Sequence, residues 1–304
     1  GTADVSMTLL RLGAYLDPRN DTIQLVIGQL YDTADQHEAA NAIYDAIPLN
    51  SPMKSMAVVR VADNLDAMGN RPEAIRRLDN IVATEPGDVD AISVLGDLLR
   101  SDKQYKAAAD AYTKALGVTG GQTPGDWRFY YVRGIAFERS DQFPRAEKDF
   151  LKALDLNPNQ PQVLNYLGYS WVDKGLNLQR ALGMIQKAVQ ASPNDGYIID
   201  SLGWAYYRLG RYDDAVAQLE QAATLRPNDP EINDHLGDAY WRVGRHLEAH
   251  FQWNVAYSMD KDGDVKKRVE PKLKGGLDAA PAGGESSPAL DPAPGDQAAA
   301  TTPN

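Results

Sequence analysis

The chain has 304 residues, 43% of them hydrophobic and 24% charged, with no cysteine and a formal net charge of -11. The acidic balance argues against nucleic acid or an anionic membrane as the main partner, since either needs a basic face; the lack of thiols excludes disulfides, thiolate catalysis and cysteine-held metal. No apolar run reaches the roughly 18 residues of a membrane-spanning helix, and the opening Gly1-Thr2, with neither Met nor signal peptide, is read as the start of a trimmed or mature fragment.

Residues 1–18 come first, with Leu10, Gly13 and Pro18 in the phase of a second helix whose partner is missing, so an apolar face should stay open. From residue 19 a unit repeats. A small residue recurs at Gly28, Ala62, Gly96, Gly134, Gly168, Gly203 and Gly237, with gaps of 34, 34, 38, 34, 35 and 34. An alanine follows in each copy, at Ala40, Ala74, Ala108, Ala146, Ala181, Ala215 and Ala249. Gly196–Asp229 is the clearest copy. Ile199, Leu202 and Tyr206 give its first helix one buried stripe, and Gly203 lets the second helix come close. Leu209-Gly210-Arg211 marks the turn; Ala215, Leu219 and Ala222 form the facing stripe; Pro227 ends the helix and Asp229 caps the next.

The one long gap falls where Gly120, Gly121, Pro124 and Gly125 make a loop of 118–126. It is read as a seam between an N-terminal subarray, 19–117, and a C-terminal one, 127–260, with a tolerated insertion as the alternative. The fifth repeat carries one extra residue near Gly175-Leu176-Asn177, a local bulge in its turn. Residues 261–275, Lys-rich and interrupted by Pro271, suit a polar capping helix. The segment 276–304 is rich in Ala, Pro and Gly, carries Asp278, Glu285, Asp291 and Asp296 without Lys or Arg beyond the helix, and is expected to be disordered.

This spacing over residues 5 to 260 resembles the tetratricopeptide repeat (TPR) family, which implies an all-α, right-handed α-solenoid: seven helix pairs, a leading half repeat and a C-terminal cap. The last three repeats, at LNYLGYSWVDKG, DSLGWAYYRLGRYDDAV and INDHLGDAYWRVGRHLEAHFQW, are similar to large proteobacterial envelope TPR proteins. Some of those are similar to lipoprotein adaptors that bind a periplasmic processing protease and deliver cell-wall hydrolases to it. The resemblance therefore implies a bacterial envelope or periplasmic location; without it, a cytoplasmic one is equally compatible with the residues.

In that family the first helix of each repeat lines a concave surface. The ligand-contacting positions map to Leu25, Gln29, Val59, Asp63, Asp66, Ser93 and Asp97 in the N-terminal repeats. In the C-terminal half they map to Tyr131, Asn165, Tyr169, Asp173, Asp200, Trp204, Tyr207, Arg208, Asp234, Asp238, Trp241 and Arg242. Aromatics offer rigid contact area, and Asn, Asp and Arg can bond an extended backbone, so a peptide groove centred on Trp204 and Trp241 is expected. The competing reading is that aromatics at helical spacing pack between repeats; Trp253 and Tyr206, on the apolar stripes, are expected in the core.

His246 and His250 flank Glu248 as HxExH, not the HExxH of zinc hydrolases, and read as an ordinary helix pair. No catalytic triad, phosphate loop or dinucleotide fingerprint is present, so no cofactor and no metal is expected. The expectation is a non-enzymatic scaffold or adaptor that binds another protein or an extended peptide. The alternatives are the repeat region of a larger enzyme, such as a TPR-containing glycosyltransferase, and a homo-oligomeric platform built through the open N-terminal helix.

Overall fold

The computed structural model describes residues 8–277, apart from 11, 14, 18 and 19. The described residues are helical throughout, with no strand. After helical turns within 8–16 come α1 (Asp21–Asp32), α2 (His37–Asp45), α3 (Lys54–Ala67), α4 (Arg71–Thr84), α5 (Val89–Ser101) and α6 (Tyr105–Thr119). A 3-10 turn at Pro124–Asp126 leads to α7 (Trp127–Arg139) and α8 (Phe143–Leu156). Then follow α9 (Pro161–Asp173), α10 (Leu178–Ala191), α11 (Gly196–Arg208), α12 (Tyr212–Leu225), α13 (Pro230–Arg242), α14 (His246–Met259) and α15 (Asp264–Gly275). The expected tail from 278 onward lies outside the described residues, as does Pro18.

The chain divides into two compact units, one through Leu156 and one from Asn157. The Gly/Pro loop at 118–126 is internal to the first. There Asp126, buried, accepts bonds from the backbone N–H and hydroxyl of Thr123, both at 2.8 Å, and closes a capping box.

Each odd-numbered helix from α1 to α13 packs on the even-numbered helix after it, and the recurring small residue marks the contact. A Cβ on Gly203 would lie 2.5 Å from Leu219 Cγ, and one on Gly96 2.6 Å from Tyr112 Cε1. Gly28, Gly134 and Gly237 meet the rings of Tyr44, Phe150 and Trp253 in the same way. A backbone approach this close leaves no room for a methyl group. The turn inside each pair needs a left-handed residue seven positions after the small one. Glycine serves at Gly69, Gly175, Gly210 and Gly244, but Asp35, Lys103 and Asp141 adopt the same positive φ. The extra residue of the fifth repeat is Asn177, a second left-handed residue in that turn.

Successive pairs are joined by caps and shared core. Asp195 accepts from the N–H groups of Tyr197 and Ile198, and Asp229 from those of Glu231 and Ile232, so the chain that leaves one helix starts the next. Ile199, Ala222 and Ile232 bring α11, α12 and α13 into one apolar cluster. Trp253 is in the core as expected, whereas Tyr206 is half-buried, its hydroxyl accepting from Gln186 Nε2 and its ring covered by Arg211. The Pro271 expected to interrupt the cap lies inside α15, which continues to Gly275. The Leu9, Leu12, Tyr15 and Leu16 side chains of the leading segment are exposed.

Candidate functional site

In the second unit, α9, α11 and α13 are the first helices of their repeats, and the expected groove residues fall on them one repeat apart. Groups about one repeat apart meet. Arg208 donates to the backbone oxygen of Asp173 at 3.2 Å, thirty-five residues away, and Arg242 Nε donates to the Tyr207 hydroxyl at 3.1 Å across the same interval. His235 Nδ1 stands 2.8 Å from Asp200 Oδ1, both groups buried. Lys272 on α15 reaches Asp234 at 2.6 Å and Asp238 at 2.7 and 2.8 Å, while Trp253 Nε1 donates to Asp238 at 2.9 Å. Arg268 adds an ion pair to Glu231 and a longer contact to Asp234.

These distances change the meaning of most of the expected site. Trp204, the expected centre of the groove, is 1% exposed. Its ring stacks on Tyr207 at 4.7 Å and on His235 at 4.3 Å, so it fills the joint between α11 and α13. Asn165, Tyr169, Asp200, Tyr207, Asp234 and Asp238 are buried as well. Tyr131 belongs to the first unit, where it is buried beside Phe150 and Trp127. Aromatic and carboxylate groups on one first helix here find their partners on the next. Asp173, Arg208 and Trp241 are half-buried, and Arg242 is exposed.

Burial and charge act against each other along this ladder. Burial pushes the His235 imidazole down, but the facing Asp200, Glu231 and Asp234 carboxylates outweigh it and its pKa is raised. Burial likewise works against the Lys272 ammonium, and Asp234 and Asp238 reverse that too. Asp238 itself is pushed up to about 6 by burial and by Asp234, against the pull of Lys272. Burial raises the Asp173 carboxyl, and Lys174 and Arg208 counter it.

Trp241 closes the far end. His246 stacks on its ring at 4.1 Å and His250 meets it edge-on at 5.9 Å, which accounts for the HxExH pair. Among the described residues no group of three or more His, Cys, Asp or Glu is arranged to hold a metal ion, and no helix is long and apolar enough to cross a membrane. His235, Arg268, Lys272 and Glu231 were missed by motif reading. A signal existed: charges of opposite sign stand one repeat apart at Asp200/His235, Asp234/Arg268 and Asp238/Lys272.

Comparison with known proteins agrees with this architecture. The model described as a tetratricopeptide repeat matches residues 61–126 and 131–196, and the one described as a TPR repeat matches 203–244. The chain belongs to the tetratricopeptide repeat family. A TPR repeat-containing protein of Pseudomonas aeruginosa is 31% identical over 160 residues, covering 52% of this chain and 26% of that protein. A human protein O-mannosyl-transferase is 26% identical over 176 residues, covering 58% of this chain and 20% of its own length. The chain thus spans about a quarter or less of these two relatives. Among solved structures, a tetratricopeptide repeat protein from Parabacteroides merdae has a TM-score of 0.67 at 15% identity, over 84% of this chain and 97% of that one. A chain of the APC/C hetero-tetramer Cut9-Hcn1 has a TM-score of 0.66 at 18% identity, over 90% of this chain and 52% of that one. Repeats of this family are protein-interaction scaffolds.

Proposed function

We propose that this scaffold is a non-enzymatic adaptor that holds an extended polypeptide along the rim of its second unit. One observation carries the reading: Asp173, Arg208 and Arg242 occupy the same register in three successive repeats, and each keeps exposed surface at the end of a helix whose middle turns are buried. One charged, hydrogen-bonding group per repeat, with Trp241 beside the last, gives regularly spaced contacts to a peptide main chain. Affinity then comes from many weak contacts on a preorganised array.

The likeness of the last three repeats to envelope TPR proteins favours a location in the bacterial envelope, with a processing protease or cell-wall hydrolase as partner, and the Pseudomonas aeruginosa relative is itself a bacterial TPR protein. A crosslinking pull-down from envelope extract, with the parent chain beside an Arg208→Glu, Arg242→Glu variant of unchanged helicity, tests it. Recovery of such an enzyme by the parent and its loss in the variant is the expected result; recovery of neither class of enzyme removes the envelope reading, and equal capture by both proteins removes the rim. A second reading rests on the exposed Leu9, Leu12, Tyr15 and Leu16, an open apolar stripe that a second copy would cover. Light scattering across a concentration range decides it, and a constant monomer mass rejects it.

A further inference from the structure

α15 ends the array in a way that the other first helices do not. Two repeats after Ile199, Leu202 and Tyr206, the stripe that pairs α11 with its second helix, α15 has Lys267, Glu270 and Lys274, all exposed. Its other face keeps the stacking register: Arg268 and Lys272 stand 34 residues after Asp234 and Asp238. The helix is therefore held from one side, by Val265, Val269 and an ion cluster.

That cluster is not balanced. Facing one another between α13 and α15 are three carboxylates, Glu231, Asp234 and Asp238, and two cations, Arg268 and Lys272. The other elements packed here do not supply the missing charge. α11 contributes Asp200, which takes His235 as its partner at 2.8 Å; α9 contributes Asp173, which acts on His235 and stands beside Lys174 and Arg208. From α14 come the neutral Trp253 N–H, donated to Asp238, and His250, edge-on to Trp253 at 5.6 Å. With His235 protonated, the His235–Asp200 pair is neutral and the joint keeps one surplus negative charge. Asp234, Asp238 and Lys272 are each 2% exposed or less, so water does little to screen it.

We propose that α15 is a proton-operated latch: one proton taken up by the three carboxylates balances the joint and closes the helix on α13, and loss of that proton at higher pH loosens it. The proton's place is Asp238. Burial and the neighbouring Asp234 push its carboxyl up to about 6, against the pull of Lys272 and Trp253, and burial raises Glu231 against the pull of Arg268. In the open helix Asp238 returns toward the ordinary 3.8. The proton's contribution to closure is therefore complete below that value and is lost as pH rises through about 6. The turn that leads into α15 has the opposite sign. Burial works to raise Asp260, but the N–H groups of Lys266, Gly263 and Asp262 outweigh it and hold the carboxyl low, so this turn stays intact at pH 5.

The latch needs no partner, but it borders the rim. Gly276, at φ 74°, sets its backbone on the Trp241 ring, where a Cβ would collide with the indole. On the rim reading given above, the closed helix covers Trp241 and a loosened one yields it to a polypeptide.

Hydrogen exchange of the full chain, read by mass spectrometry over Asp264–Gly275 and corrected for the intrinsic rate at each pH, tests the latch. Protection should rise about tenfold from pH 7 to pH 5. Asp238→Asn and Glu231→Gln each remove the surplus charge, so each should protect α15 better than the parent at pH 7, and Asp238→Asn should cut the rise to about twofold or less. Carboxylates with only a structural role give the opposite sign, weaker protection in both variants, and that result overturns the inference. Protection in the parent that is flat or falls toward pH 5 also overturns it, as does a rise shared equally by α12 or one that persists at full size in Asp238→Asn. Polypeptide capture that is weaker at pH 5 than at pH 7, alongside the rise in protection, upholds the link to the rim. Equal capture at both pH values removes that link alone, and no capture at either removes the adaptor and leaves the latch standing.

Discussion

Lys272→Met is the substitution with the most informative consequence. Lys272 is 2% exposed, and its ammonium stands 2.6–2.8 Å from three carboxylate oxygens of Asp234 and Asp238. At an effective dielectric of 20, a charge pair at about 3 Å is worth roughly 5 kcal/mol, so two carboxylates give roughly 10 kcal/mol gross, most of it offset by desolvation of the three ions. Removing only the cation leaves two buried carboxylates one helical turn apart, and the expected loss is about 3–5 kcal/mol. In a repeat stack the damage stays local. It should show as lost hydrogen-exchange protection over Asp264–Gly275 and an early phase in urea unfolding, with α1–α8 unchanged. The deficit narrows at pH 5, because burial and Asp234 already push Asp238 up to about 6 and protonation removes its charge. Adding Asp234→Asn and Asp238→Asn restores most of the loss, since Asn can still accept from Trp253 Nε1. A single variant within about 1 kcal/mol of the parent, with α15 still protected, would refute the claim that these carboxylates are desolvated.

Three further outcomes follow from the same geometry. Gly237→Ala forces a methyl into the Trp253 indole and should cost about 1–3 kcal/mol in urea unfolding, whereas Gly183→Ala, mid-helix in α10 with nothing within 4 Å, should gain about 0.5–1 kcal/mol; equal effects would contradict the packing role of the small residue. The His235 pKa is raised above the ordinary 6.5, so its pairing with Asp200 stabilises fully below that value and fades as pH rises through the folded-state pKa; the melting temperature should fall from pH 6 toward alkaline pH, and Asp200→Asn should flatten that slope. Lys103 holds a left-handed turn at φ 60° where four other repeats have glycine, so Lys103→Gly should be neutral to stabilising by up to about 1 kcal/mol, and a clear loss would mean its side chain does more than tolerate the turn.

The sequence by itself determined the helix pairs, their number and their register. The reason is steric and local: Gly203 opposite Leu219, a left-handed residue seven positions later, and an Asp cap such as Asp229 each act within one repeat, so a period of about 34 residues carries them openly. The polar joints were legible only in part. Asp200, Asp234, Asp238 and Trp204 were placed correctly on the first helices, but which of them face a partner and which face solvent depends on the neighbouring repeat. That neighbour supplies His235 to Asp200 and Trp204, and Lys272 to Asp234 and Asp238. The outcome for Pro271 has the same origin, because the helix that it would interrupt is anchored on both sides by Arg268 and Lys272. What only the tertiary structure decided is therefore burial: a side chain's type fixes what it can bind, and the packing of the next repeat fixes whether that capacity is already spent.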